Sequence, residues 1–438
     1  MSFVHRRRSG LGLALSGLLI CAGCGPSDLA SPSTAGSPSN AGSPSNAGSP
    51  AIAGPEAGLP TTTAPTTAQG ANPTASPSDA ARPIPAISTA AETCVQQAFD
   101  ELTAAQRAGQ LVMTGVPAGN PALYRTLVKN KHLGSVFLAG RTGDSPSTIK
   151  KGVAKLAVQK TPTTTIKLLV AVDQEGGKVQ SLRGGVWTTI PSAKTQGTWT
   201  TSKLTTRTKA WVKQLNQAGI TMDLAPVADT VPAGTEKKNP PIGVFDRQYG
   251  NTSPKVSRSV TTVTSTMLAG KVIPTVKHFP GLGRVRFNTD TSTKAVDKTT
   301  TVTSAYLKPF QAGIDAGAGA VMISSASYPK IDKEHLAVFS AAVITDLLRE
   351  RMKYQGVVMT DDIGRAVAVK SVPKGQRATR FIDAGGDLVL TVVPENATVM
   401  VDAIVAKAES NTGFRAKVAA STLRVLRLKQ KSGLLTCT

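Results

Sequence analysis

Eight short, valine-rich apolar runs between Gln110 and Val393 constrain the fold of this chain more than any other feature. They are Gln110 to Val116, Gly134 to Ala139, Leu168 to Asp173, Met222 to Ala228, Val272 to His278, Ala320 to Ser325, Gly356 to Asp361 and Asp387 to Val393. Each is apolar along its length instead of alternating, the pattern of a strand covered on both faces. Stretches of helical period separate them, among them Ser147 to Gln159, Thr206 to Ala218, Ser340 to Arg351 and Ala397 to Ala408. Gly134, Gly319 and Gly356 immediately precede or open runs and fit helix-to-strand turns. Strand and helix alternating in this way predict an α/β fold, a single (β/α)8 barrel of the TIM type. An open doubly wound sheet is the alternative.

Ionisable residues then fall at particular strand ends. Asp173, Lys277-His278 and Asp361-Asp362 each close an apolar run on its C-terminal side. That is the face on which such barrels carry their chemistry.

The two ends of the chain bound the folded body. His5-Arg6-Arg7-Arg8, an apolar run from Leu11 to Ile20 and Cys21-Ala22-Gly23-Cys24 read as a lipoprotein export signal over residues 1–23. Its apolar run is shorter than the ~20 residues needed to span a bilayer. Cleavage before Cys24 and acylation of that residue are expected, although Cys21 stands where such signals usually carry leucine. Residues 24–89 are dominated by Ser, Pro, Ala, Gly and Thr, with Ala-Gly-Ser-Pro-Ser-Asn repeated from Ala35 and Ala41. Such a segment buries too little apolar surface to offset its ordering entropy, and reads as a disordered tether. Residues 90–438 remain for the folded body. The expected location is the outer face of the cell membrane, in the cell-wall space, with the membrane reached through the lipid anchor. In an exported chain, Cys94 and Cys437 at opposite ends of one closed body are expected to form a disulfide. A monomer is expected.

A net charge of +23 invites nucleic acid as a partner. Export argues against it, aromatics make up only 4% of the chain, and there is neither a stacking motif nor a basic helix. No nucleic acid is therefore expected. The charge reads as a solvated basic surface, or as attraction to anionic wall material or lipid head groups.

Several chemistries are excluded by residue type and spacing. His132, His278 and His335 lie in no paired ligand spacing, so no metal site is expected. Gly281-Leu282-Gly283 lacks the third glycine of a nucleotide fingerprint, and no cofactor is expected. No Gly-x-Ser-x-Gly elbow is present. What the rim does hold is carboxylates, and two of them are the minimum for glycoside hydrolysis. Spacing alone does not choose among Asp173, Glu175, Asp290, Asp361 and Asp362.

Five motifs in order do more. Val172-Asp173-Gln174-Glu175-Gly176-Gly177-Lys178-Val179-Gln180, Met222-Asp223-Leu224-Ala225-Pro226-Val227-Ala228-Asp229, Asp246-Arg247-Gln248-Tyr249-Gly250, Lys277-His278-Phe279-Pro280-Gly281 and Met359-Thr360-Asp361-Asp362 resemble glycoside hydrolase family 3. The likeness is to its β-N-acetylglucosaminidase branch, in an actinobacterial lipoprotein subgroup, and it runs to Arg424-Val425-Leu426-Arg427-Leu428-Lys429. It implies a retaining exo-β-N-acetylglucosaminidase acting on terminal β-linked N-acetylglucosamine, with peptidoglycan-derived glycans or muropeptides as substrates. By the same resemblance Asp361 is the nucleophile, while Asp173, Arg247, Lys277 and His278 bind the terminal sugar. Adjacent strand residues point opposite ways, so Asp362 is expected to turn outward or cap the next helix. Glu175 and Arg183 are expected to fix loops. A β-glucosidase of the same family and a sugar-binding lipoprotein with impaired catalysis are the alternatives.

One departure stands out. Where many relatives read Lys-His-Phe-Pro-Gly-His-Gly and then Asp-Ser-His or Asp-Thr-His, this chain has Leu282, and then Asn288-Thr289-Asp290. Aligned without a gap, Asn288 replaces the loop aspartate and Asp290 the loop histidine. The usual acid/base pair is absent, which leaves Asp290 as the candidate acid/base. Arg284 and Arg286 would lower its pKa if they faced inward.

Overall fold

The computed structural model describes residues 89–437 apart from Ala157. The expected leader, Cys24 and the tether as far as Ser88 lie outside the described residues.

All eight predicted strands are present, and we number them β1–β8: Val112–Pro117, Ser135–Ala139, Leu169–Val172, Met222–Asp223, Ile273–Phe279, Ala320–Ile323, Val357–Asp362 and Leu388–Thr391. Each pairs in parallel with the next, and β1 returns to β8 through Val112 opposite Val389 and Met113 opposite Leu390. The barrel is closed, which rules out the open sheet. Helices cover its outside, so the strands are buried on both faces. Strand β4 is shorter than the Met222 to Ala228 run because Pro226 has no N–H to offer the ladder. Pairing resumes beyond it, with the Ala228 N–H donating to the Lys277 carbonyl at 2.7 Å.

The turns into the strands differ from expectation in one respect. Before β2 and β4–β8 the left-handed residues are His132, Gly219, Lys271, Gly317, Lys353 and Gly385, with φ between 52° and 101°. Gly134, Gly319 and Gly356 are not among them. Gly134 is instead needed for close approach, since a Cβ there would lie 2.5 Å from Oε1 of Gln110. Of the predicted helices, Pro146–Val153, Thr201–Gln217 and Pro394–Ser410 are α-helical, whereas Ala342–Arg351 is a π-helix.

At the base of the barrel the two ends of the body meet. Helix Thr89–Glu101 packs on helix Thr412–Lys431, and strand Leu435–Cys437 pairs antiparallel with Thr164–Ile166. Val95, Ala98, Leu102, Ile166, Leu426 and Leu435 form a small separate core there. The disulfide Cys94–Cys437 closes over it, with the Cα atoms 5.8 Å apart.

Candidate active site

The site is built from loops that leave the C-terminal ends of the strands. After β3 the chain passes Asp173 and makes a tight hairpin of Gln174–Gly176 with Val179–Gln180. The Gln174 side chain pins that hairpin, donating to the Leu182 carbonyl at 2.9 Å and accepting from its N–H at 3.1 Å. Gly176 has φ 103°, and a Cβ there would sit 2.3 Å from the Pro191 carbonyl oxygen, so only glycine fits. The hairpin aims Glu175 inward, where its side chain is 3% exposed.

Glu175 is the hub of the site. Arg247 donates to both of its oxygens, from Nη2 at 2.7 Å and from Nε at 2.9 Å. Lys277 Nζ lies 2.6 Å from Oε1 of the same carboxylate and 2.7 Å from Oδ1 of Asp173. Burial opposes ionisation of Glu175, but Arg247 and Lys277 outweigh it and hold the carboxyl at about 2. The reciprocal field keeps both cations protonated against their own burial, with pKa values above the usual range. Asp173 keeps a side chain 29% exposed, so it faces the opening.

Two consecutive residues of β5 reach this cluster because the pairing with β6 slips by one. Met322 is opposite Lys277 and Ile323 opposite Phe279, which leaves His278 as the extra residue. His278 Nδ1 is 2.7 Å from Oδ2 of Asp229, a fully buried carboxylate. Its Nε2 lies 3.3 Å from Nη2 of Arg247. An Nε2 that accepts from a guanidinium requires the proton on Nδ1, which then donates to Asp229. Asp229 also accepts the Leu282 N–H at 2.6 Å, so one carboxylate orients both the histidine and the next loop.

Asp223 at the end of β4 and Asp229 carry no sequence signal that separates them from other motif residues. Both are buried beneath the cluster. Asp223 accepts the Gln174 N–H at 3.0 Å, and burial, assisted by Asp173 and Glu175, pushes its carboxyl up to about 8.

Across the mouth, Asp361 is the penultimate residue of β7 and accepts the N–H of Asp362 at 2.9 Å. Asp362 turns away to cap the following turn, accepting from Gly364 at 2.9 Å, Arg365 at 3.2 Å and Val392 at 3.0 Å. It thus fixes a turn and does not cap the next α-helix, Lys374–Asp383, whose N-cap position is Pro373. Asp290 is carried by the loop after β5, whose base is clamped by Asn239 donating to the carbonyls of Leu282 and Val285, each at 2.8 Å. Its tip is an Asx turn, Asp290 N–H to Asn288 Oδ1 at 2.9 Å. The tip is also tied to the loop after β7, by Ala368 N–H to the Thr289 carbonyl at 3.0 Å. Asp290 is open to solvent as a residue, yet protein crowds its carboxyl. That crowding first, and then the charge of Asp361, raise it to about 6 against the pull of Arg247.

The arginines nearest in sequence have other work. Arg284 pairs with Asp297 at 3.3 Å, stacks 4.1 Å from the ring centroid of Tyr306 and donates to Thr300. Arg286 is exposed, as is Arg183. Thus Asp173, Arg247, Lys277, His278, Asp290 and Asp361 converge at one rim, and Glu175 fixes the loop that carries Arg247. Among the described residues no cluster of side chains suited to a metal ion is found. A cavity of about 610 Å³ lies on the flank, at Gly197, Thr252, Lys255 and Arg258. Converging charge, not cavity size, marks the rim as the site.

A carboxylate pair beside a cationic cradle at a barrel rim is the equipment of glycoside hydrolysis. Residues 103–428 match the glycosyl hydrolase family 3 N-terminal domain. The chain belongs to glycosyl hydrolase family 3. Among solved structures, this family 3 chain is similar to a β-N-acetylhexosaminidase from Beutenbergia cavernae DSM 12333. That likeness has 40% identity and a TM-score of 0.71, covering 74% of this chain and 98% of the other. A family 3 β-N-acetylglucosaminidase from Paenibacillus sp. str. FPU-7 is 30% identical with a TM-score of 0.68, over 76% of this chain and 63% of that one. A β-hexosaminidase of Xanthomonas campestris pv. campestris strain B100 is 31% identical over 234 residues, 52% of this chain and 68% of its own length.

Proposed function

We propose that this family 3 hydrolase is a retaining exo-β-N-acetylglucosaminidase, with Asp361 as nucleophile and Asp290 as general acid/base. The observation that carries the reading is Asp290, held opposite Asp361 by backbone ties, with its carboxyl raised to about 6. A carboxyl that is partly protonated near neutral pH can give its proton to the departing oxygen and later take one from water. Asp361 attacks the anomeric carbon, the glycosidic bond breaks toward the oxygen protonated by Asp290, and water then reverses the step. Asp173, Lys277, Arg247 and His278 bind the ring hydroxyls of the terminal sugar through fixed donors and acceptors. Such contacts strengthen as positive charge develops on the ring.

Preference for the acetamido sugar rests on the names of the relatives. Cleaved peptidoglycan fragments are the proposed source of substrate, reached from a lipid anchor on Cys24 across the tether. The deciding experiment is turnover of an aryl β-N-acetylglucosaminide, followed by NMR of the first-formed anomer and mapping of the peptide labelled by a slow 5-fluoro sugar. A β-anomer and a label on Asp361 are expected. An α-anomer, or a label on another residue, overturns the assignment.

A further inference from the structure

Charge is not spread evenly around the barrel. The helices that follow β2, β3 and β4, Pro146–Val153, Thr201–Gln217 and Ser253–Ala269, are neighbours on the outer belt. Contrary to the expectation that no helix is basic, they carry Lys150, Lys151, Lys203, Arg207, Lys209, Lys213, Lys255 and Arg258, and not one carboxylate. Among the described residues none of the eight forms an ion pair, whereas Lys131, Lys407, Lys417 and Arg427 elsewhere pair with Asp402, Asp383 and Glu92. The helix Thr89–Glu101 has the opposite character, with Glu92, Asp100 and Glu101 and no cation.

The basic side is also grooved. Helices Thr201–Gln217 and Ser253–Ala269 pack side by side, and a cavity lies at each end of their seam. At the rim end a cavity of about 610 Å³ is lined by Thr198, Thr252, Lys255 and Arg258. At the base end a cavity of about 470 Å³ is lined by Lys150, Lys209, Lys213 and Asn216. Seventeen residues of helix separate the two ends, about 25 Å at 1.5 Å per residue.

We infer that this seam binds a linear polyanion, a chain of phosphate or carboxylated sugar units running from the rim of the barrel to its base. Six of the eight cations are lysines, which bind as point charges and select charge density more than a particular geometry. Two cavities in line along a seam suit a strand better than a flat bilayer. Of the exposed large apolar residues only Leu268 belongs to these helices, and its side chain lies against Gly317, away from the seam. Insertion into a membrane therefore has no anchor on this face. The inference does not depend on the chemistry at the rim.

The test uses the full chain and two probes, inorganic polyphosphate and polygalacturonate, titrated at several salt concentrations. Changing Lys203, Arg207, Lys209 and Lys213 together to Glu should weaken binding by roughly ten-fold or more and flatten its salt dependence. A control with the same change of net charge replaces Lys330, Lys333, Lys370 and Lys374, all exposed and elsewhere on the surface. It should bind within about two-fold of the parent, and both variants should turn over a small aryl glycoside as the parent does. The ranking of the two polymers identifies the anion. Equal loss in the two variants would reduce the effect to net charge and overturn the inference. So would the absence of binding at physiological salt, or stronger binding to vesicles containing phosphatidylglycerol than to either polymer.

Discussion

The main-chain N–H of Val367 donates to the carbonyl of Asp290 at 3.3 Å, joining the loop after β5 to the loop after β7. This bond links the loop of the candidate acid/base to the strand of the candidate nucleophile. The loop that replaces the usual aspartate and histidine is therefore held in place before any sugar arrives. Asn288, at the position of the missing aspartate, spends its side-chain oxygen on the turn that presents Asp290.

Replacing Asp290 by Ala should spare formation of the glycosyl-enzyme from substrates with good leaving groups, which need little protonation. Cleavage of an unactivated disaccharide should fall by about 100- to 10,000-fold. Azide needs no base and should restore turnover, giving a β-glycosyl azide. Cleavage of the disaccharide at the parent rate would remove Asp290 from the mechanism.

The pH profile follows from the same carboxyl. Its pKa is raised to about 6, so the protonated acid is lost as pH rises through that value. For an unactivated substrate, kcat/KM should decline about ten-fold per pH unit above it. Asp361→Asn removes the like charge and should lower the Asp290 pKa, which carboxyl NMR of the inactive protein reads directly. A pKa that stays put or rises in that variant contradicts the proposed proximity.

Glu175 should matter as much to folding as to the site. Its carboxylate neutralises two buried cations, so Glu175→Ala leaves Arg247 and Lys277 without it and should cost about 3–5 kcal/mol in denaturant unfolding. The folded pKa, about 2, lies below the ordinary 4.5. The stability that Glu175 contributes is therefore complete above about 4.5 and is lost as pH falls toward 2. Parent and variant stability curves should converge over that acid window.

Lys429 gives a dependence of the same sign in an alkaline window. It is fully buried, its Nζ bonds to Oε1 of Gln110 at 2.6 Å and to the Gly134 carbonyl at 2.8 Å, and burial lowers its pKa to about 7. Between about 7 and the ordinary 10.5 the unfolded chain binds the extra proton, so this residue makes stability rise with pH across that range. Lys429→Met should remove that part of the slope, measured as urea midpoints at pH 7 and 9. An unchanged slope would show that the ammonium stays charged in the folded chain.

The Cys94–Cys437 bond closes nearly the whole body into one loop. Replacing both by Ser should lower stability by up to about 4–5 kcal/mol in the chain-entropy model. Activity of the folded variant at room temperature should be little changed, because the bond lies at the base and the chemistry at the rim. Loss of activity without loss of stability would point to a longer-range role.

The eight strands, their order and the rim they share were legible in the sequence, because a strand buried on both faces must be apolar throughout and its polar end marks where burial stops. Asp173, Lys277, His278 and Asp361 were legible as ionisable residues at such ends, whereas Arg247, in the loop far beyond β4, was marked only by the resemblance of its motif. Glu175 was read as a loop-fixing residue, but its place between two buried cations was not readable, because Arg247 and Lys277 lie 72 and 102 positions away in the chain. Asp223 and Asp229 look like ordinary strand-end aspartates until burial and the N–H groups of Gln174 and Leu282 are seen around them. The sequence also left open which way Arg284 turned; the tertiary structure occupies it with Asp297 and Tyr306, so Arg247 supplies the cation that acts on Asp290. The composition determined the amount of positive charge, and only the packing of three consecutive helices decided that much of it lies unpaired on one side. Local pattern reports whether a residue is buried. Which charge it meets there is decided by chain closure, which brings together groups that no local pattern connects.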